Sequence, residues 1–333
     1  LTYRRFIDRL SPVQLLLAAA LTLAVLIGHA AAATTGPLSG PLVEADWLKA
    51  NLGREDVVVL DTRSANGEND PYLEGHIPGA LSAPYPGGWR TERDGIPGQL
   101  PPLPALEAHI GGLGISGEET IVIVPAAASS SEFGGATRIY WTLKLLGIDD
   151  VAILNGGYRA WTADASAPLE NEAAEATPVA FKAQLRPQLL VSSDEVRQRL
   201  GESSTVMLDG RPLSQFAGKE KHPAAQRYGR LPGAVNLDQS VFFDAETGRV
   251  VAKDAAMSLV PPEAAKADAE IVSYCNTGHW ASMNWFVLSE VLGYENVRLF
   301  DDSMVGWTEN PDNPVDSDRS RWDDIKSWWN GQS

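Results

Sequence analysis

The chain is predicted to be an α/β protein made of two copies of one unit, each a mainly parallel sheet with helices on both faces. Three observations predict this. Its 333 residues, 44% hydrophobic and 21% charged, suit roughly two globular domains of about 150 residues. Short apolar runs alternate with helical patterns, the order that parallel strands joined by crossover helices require. Four sequence landmarks recur in the same order 146 to 154 residues further on, the mark of an internal repeat.

The first element is a targeting segment, residues 1–33. Arg4, Arg5 and Arg9 precede an apolar run at 13–27, followed by Gly28, His29 and four alanines at 30–33. Basic, apolar and small-residue regions in that order read as a signal peptide. The apolar core is shorter than the roughly 20 residues that span a bilayer, so an uncleaved anchor that borrows the alanines is a second reading. A buried N-terminal helix of the fold is a third. Export, to a bacterial periplasm, is the expectation, with membrane contact only through an uncleaved segment.

The first unit covers residues 42–165 and the second 188–312. REDVVVLDTR at 54–63 recurs as ESSTVMLDGR at 202–211, and GHIPGAL from Gly75 recurs as GRLPGAV from Gly229. TIVIVP from Thr120 recurs as EIVSYC from Glu270, and the amphipathic stretch ending at Trp161 recurs as one ending at Trp307. The runs at 57–60, 121–124 and 151–154 are short and uniformly apolar, which marks buried central strands. In HIPGA the proline fixes φ and the glycine permits a tight conformation, so a structural turn is expected, and His76 goes with it. Residues 166–187, rich in Ala, Glu and Pro with little periodicity, form the linker. In the tail, 313–333, Trp322, Ile325 and Trp329 at spacings of three and four, with Trp328 alongside, predict an amphipathic helix docked on the domain surface.

Charge and cysteine content narrow the chemistry. With 27 Lys+Arg against 43 Asp+Glu the net charge is −16, which repels phosphate backbones and argues against nucleic-acid binding. A single cysteine, Cys275, excludes an internal disulfide framework and every multi-cysteine metal site. The five histidines are scattered without ligand spacing, so no metal and no cofactor is expected. Cys275 follows the apolar IVSY and precedes NTGHWASMNWFVLSEVLG, where a buried strand ends and a helix begins. That is the carboxyl edge of an open α/β sheet, where ligands bind. Ala281, Trp285, Leu288 and Leu292 set the helix pattern, with a start near Ala281. A thiol facing a helix N-terminus meets unpaired N–H groups that favour the thiolate, and Gly278 lets the loop curl. From position alone a buried, inert cysteine is an equal reading.

The D-x-R strand end, the G-H-I-P-G-A turn, the C-x-x-G loop opening a helix and the terminal DxSMxxW together resemble the rhodanese family in its tandem, two-domain sulfurtransferase form. The likeness covers about residues 42–312. It implies two rhodanese-like domains of which only the second is catalytic, with Cys275 carrying a sulfane sulfur as a persulfide. At the matching position the first unit has Pro125, followed by AAASSSEFGG. No nucleophile stands there, and the resemblance gives that unit the role of shaping the cleft between domains. Thiolate attack on sulfur needs a reactive, accessible thiol and little acid–base machinery. The backbone amides of Asn276, Thr277, Gly278, His279, Trp280 and Ala281 are the expected donors to the persulfide charge. Related phosphatase loops require an arginine where this sequence has Ala281, which disfavours phosphoryl chemistry.

The resemblance is looser for substrate choice. Thiosulfate-using relatives place basic residues directly after the cysteine and mercaptopyruvate-using ones resemble C-G-S-G, whereas Asn276 and Thr277 match neither. His279 reads as loop structure or as an aid to proton transfer and donor binding. Trp280 packs beneath the pocket or walls it. Lys219, Lys221, Arg227 and Arg230, against Glu220, give a local charge of +3 in an acidic chain, a solvated face or a guide for an anionic sulfur donor. Asp209 and Arg211 are expected to support the site by an ion pair that ties the strand end to the active loop. The function implied is transfer of a sulfane sulfur from a small donor such as thiosulfate to a thiol or cyanide acceptor. The rival reading is a silent module that binds or carries sulfur for a partner.

Overall fold

Each apolar run of strand length becomes a buried parallel strand. The computed structural model describes residues 37–266, 268–320 and 323; the targeting segment and the tail positions Trp322, Ile325, Trp328 and Trp329 lie outside them. In the first half, β1 (Leu42–Val43), β2 (Val57–Asp61), β3 (Leu81–Ser82), β6 (Thr120–Val124) and β7 (Val151–Leu154) form one parallel sheet in the order β1-β7-β6-β2-β3. In the second half, β8 (Leu190–Val191), β9 (Thr205–Asp209), β10 (Val235–Asn236), β13 (Glu270–Tyr274) and β14 (Val297–Phe300) repeat it in the order β10-β9-β13-β14-β8. Two antiparallel pairs lie outside the sheets: β4 (Thr91–Arg93) with β5 (Ile96–Gln99), and β11 (Phe243–Asp244) with β12 (Arg249–Val250).

Strand parity divides the core. Side chains alternate between the faces of a strand, so Val122 and Val124 pack outward with Trp47, Leu48 and Trp161 of the flanking helices Ala45–Asn51 and Gly157–Thr162. Ile121 and Ile123 point the other way, into a core that continues across both halves. The second sheet does the same. Val272 and Tyr274 join an outer cluster with Val196, Met304 and Trp307, while Ile271 and Cys275 belong to the shared core. The halves meet where the helix Ser130–Leu145 lies along the helix His279–Trp285. The Ser130–Leu145 helix starts at Ser129, whose side chain accepts from Glu132 N.

The helix after Cys275 begins at His279, two residues before the expected Ala281, because Gly278 at φ +71 ends the loop and caps it. It then continues into a π-helical turn, Phe286–Val291. Ala281, Trp285, Leu288 and Leu292 are all buried, so the predicted face packs inward despite the change of helix type. The 166–187 connection is a strap on the first half, with Phe181 in the shared core and Val179 N bonded to Gly111 O at 2.9 Å.

Candidate active site

Strand order explains where the site forms. In the second sheet β9 connects toward β10 on one side, and β13 connects toward β14 on the other. The carboxyl ends of β9 and β13 therefore flank the point where the winding direction reverses, and crevices open there. Cys275 follows β13 directly, and its parity with Ile271 turns it toward the first half. It is 1% exposed and is a free thiol.

The turn after β14 fastens the loop. Ser303 Oγ accepts the N–H groups of both Cys275 (3.0 Å) and Gly278 (3.1 Å) and donates to Phe300 O (2.8 Å). Met304 N and Val305 N donate to the carbonyls of Cys275 and Asn276 at 3.1 and 2.9 Å. Ser303 holds φ +48, a left-handed conformation rare for serine. Of the six amides expected to hold the sulfur's charge, that of Gly278 is thus committed to Ser303. Only glycine fits at 278, since a Cβ there would lie 2.4 Å from Arg138 Nη1 and 2.8 Å from Asp301 Oδ1. Asn276, almost fully buried, donates Nδ2 to Gln215 Oε1 at 2.8 Å, while its Oδ1 has no hydrogen-bond partner among the described residues.

The first half supplies the rest of the loop's contacts, and none of these residues was singled out from sequence. Arg90 Nη2 donates to Thr277 O at 2.7 Å and Arg138 Nη1 to Gly278 O at 3.2 Å. Arg138 is fully buried and pairs with Asp301. His279 Nδ1 meets Tyr85 Oη at 2.8 Å and its Nε2 meets Ser131 Oγ at 3.2 Å. One ring nitrogen donates and the other accepts, as in neutral imidazole. Burial first, and then the charges of Arg90 and Arg138, push the His279 pKa down to about 3. Its side chain is therefore built into the interface between halves as a neutral group. Trp280 donates Nε1 to the same Ser131 Oγ at 3.3 Å and packs against the shared core.

The remaining expected site residues are placed as follows. Arg211 forks onto Asp209, with Nη2 to Oδ2 at 2.6 Å, and extends the same nitrogen to Gly229 O at 2.8 Å. The pair forms as expected but ties the strand end to the LPGA turn instead of the active loop. Arg63, Asp61 and Gly75 reproduce this in the first half, with Arg63 Nη2 at 2.6 and 2.7 Å from its partners. Arg227 donates to the carbonyls of Asn313 and Asn310, and Arg230 pairs with Asp318 at 2.9 Å. Those two guanidinium groups fasten the segment after the helix Ser303–Glu309. Lys219 is exposed, and Lys221 is half-buried with its Nζ bonded to Ala225 O and 5.6 Å from the Tyr228 ring.

A family model for the rhodanese-like domain matches residues 44–164 and 192–310. The chain belongs to the rhodanese family. This rhodanese is 30% identical over 276 residues to a thiosulfate sulfurtransferase of Pseudomonas aeruginosa, covering 83% of this chain and 96% of that one. It is 31% identical over 282 residues to the thiosulfate sulfurtransferase of Azotobacter vinelandii, with the same coverage. An Arabidopsis thaliana thiosulfate/3-mercaptopyruvate sulfurtransferase is 28% identical over 316 residues, 86% of this chain and 90% of that protein. Among solved structures, the anaerobic ergothioneine biosynthesis enzyme of Chlorobium limicola in complex with trimethyl histidine superimposes with a TM-score of 0.71 at 22% identity, over 84% of this chain and 71% of that one. That likeness is one of fold. With these relatives, the chain is a sulfurtransferase acting on small-molecule sulfur donors and acceptors.

Proposed function

We propose that this rhodanese moves a sulfane sulfur from thiosulfate to a thiol or cyanide through a persulfide on Cys275. The observation that carries the reading is the position of Cys275. The chain's one thiol stands at the winding reversal of the second sheet and faces the first half, on a loop held by both. In the first step the Cys275 thiolate attacks the outer sulfur of thiosulfate. A new S–S bond forms, the old one breaks, and sulfite leaves with the electron pair. In the second step the acceptor attacks the outer sulfur of the persulfide and Cys275 leaves as thiolate.

The amides of Asn276, Thr277, His279, Trp280 and Ala281 are the proposed donors to the persulfide charge, and Lys219 and Lys221 the proposed guides for the anionic donor. Asp209 and Arg211 act at a distance by fixing the strand end beside the loop. The first half matches Cys275 with Pro125, so its part is to hold the loop and wall the cleft. We also read residues 1–33 as an export segment, which places the enzyme in the periplasm, tethered to the membrane where the segment is retained; its basic, apolar and small-residue order supports this. Thiocyanate formation from thiosulfate and cyanide tests the catalytic reading. Wild type is expected to turn over and Cys275→Ser to lose all activity; retained activity in Cys275→Ser sinks the proposal.

A further inference from the structure

A cavity of about 380 Å³ opens beside the active loop, walled by Arg90, Glu92 and Gly98 of the first half and by Thr277 and His222 of the second. Thr277 is the second residue after Cys275, so a molecule in this cavity lies next to the sulfur-bearing loop. Arg90 is seated firmly. Its Nε donates to Gly98 O at 2.8 Å and its Nη2 to Thr277 O at 2.7 Å, and a Cβ on Gly98 would overlap the guanidinium at 1.9 Å. Among the described residues no ion pair joins Arg90 to Glu92, and the guanidinium stands 5.9 Å from the Tyr85 ring. Glu92 lies in β4 and lines the same cavity as Arg90, which just precedes that strand. His222 accepts from Ala224 N through Nδ1 at 3.2 Å, which leaves Nε2 as the donor of the neutral ring. Burial, then Arg90 and Lys221, lower its pKa and keep it neutral.

The wall of the cavity itself carries one cation, Arg90, one anion, Glu92, and a neutral donor, His222. They suit a molecule that carries both charges. We infer that this cavity is the acceptor site and that it selects a small zwitterionic thiol of the amino-acid type, with Arg90 taking the carboxylate and Glu92 the ammonium. The inference rests on the Cys275 persulfide proposed above. The acceptor's thiolate attacks the outer persulfide sulfur; an S–S bond forms on the acceptor, the bond to Cys275 breaks, and its electron pair returns to the Cys275 sulfur. Arg90 and Glu92 are specificity residues in this scheme, since they contact the acceptor away from the reacting atoms.

The test uses the full chain loaded with sulfur from thiosulfate and freed of excess donor. Discharge is then timed with cysteine (zwitterion), 3-mercaptopropionate (anion), cysteamine (cation) and 2-mercaptoethanol (neutral) at equal thiolate concentrations. Wild type is expected to favour cysteine. Arg90→Met, which also frees Thr277 O, slows every thiol and slows cysteine about tenfold more than 2-mercaptoethanol, the size of one charge-assisted hydrogen bond. Arg90→Lys, which keeps the charge, retains most of the preference. Glu92→Gln, at an exposed position, lowers the cysteine rate about threefold and spares 3-mercaptopropionate. The inference is overturned if wild type shows no charge preference, or if Arg90→Met slows all four thiols equally, the result of loosening the loop alone. Failure of wild type to take up sulfur at the loading step is a different result, and it removes the persulfide reading itself.

Discussion

His279 shows what a residue's neighbours add to its type. In the sequence it is the loop's only ionisable group, open to both a structural and a proton-transfer reading. In the fold its ring is held between Tyr85 and Ser131, from segments 194 and 148 residues away. No local pattern announces such partners, because each is a common polar residue and only the packing of the halves brings them together. Gly134 and Gly135 permit the approach: a Cβ on Gly135 would sit 3.0 Å from the Tyr85 ring and one on Gly134 3.4 Å from the His279 ring. The lowered pKa has a measurable consequence. The unfolded chain binds the His279 proton near pH 6.5 and the folded chain only near 3. The stabilisation is therefore complete above about pH 6.5 and is lost as pH falls toward 3. Urea denaturation should show wild type losing about 1 kcal/mol more than His279→Asn between pH 7 and 5.5. Parallel pH profiles would contradict the placement of the ring.

Among the elements, the D-x-R strand ends show how far a repeated motif can be read. Their recurrence was visible in the sequence, but their partner was not. The expectation tied Arg211 to the active loop because the catalytic thiol is the obvious feature nearby. The structure ties it to Gly229, and Arg63 to Gly75, in the same geometry. A pair that is identical in the half without a cysteine serves the fold of each sheet edge. The carboxylates of Asp61 and Asp209 are 1% and 0% exposed, so truncating either arginine leaves a buried charge unpaired. Arg63→Met and Arg211→Met should each destabilise by about 3 kcal/mol in denaturant titrations. A loss confined to Arg211→Met would mean that the motif belongs to the active site after all. The hairpin of β4 and β5 was not foreseen. Its turn residues are plain in the sequence, but its function of carrying Arg90 to Thr277 and Gln99 to Asp302 depends on the other half.

At the level of the whole molecule, the duplication was legible from four landmarks at near-constant spacing, and the parallel sheets followed from uniformly apolar strands. What the landmarks did not reveal is that the inner faces of the two sheets share one core. Alternation along β6 and β13 gives two faces to each strand, and nothing in the alternation says which face meets a helix of its own half and which meets the other half. The buried Arg138–Asp301 pair and the Thr137–Ser282 hydrogen bond cross the same boundary. Two halves joined through a common core should unfold together. Tryptophan fluorescence and far-ultraviolet circular dichroism are expected to give coincident urea transitions. Two separated transitions would show that the halves are independent.

The claim on which the rest depends is the persulfide at Cys275. Intact mass spectrometry after incubation with thiosulfate, followed by peptide mapping under non-reducing conditions, tests it most directly. The predicted result is a single one-sulfur adduct on the peptide containing Cys275, discharged by cyanide and absent from Cys275→Ser. An unmodified Cys275 in a folded protein exposed to excess thiosulfate would contradict the account.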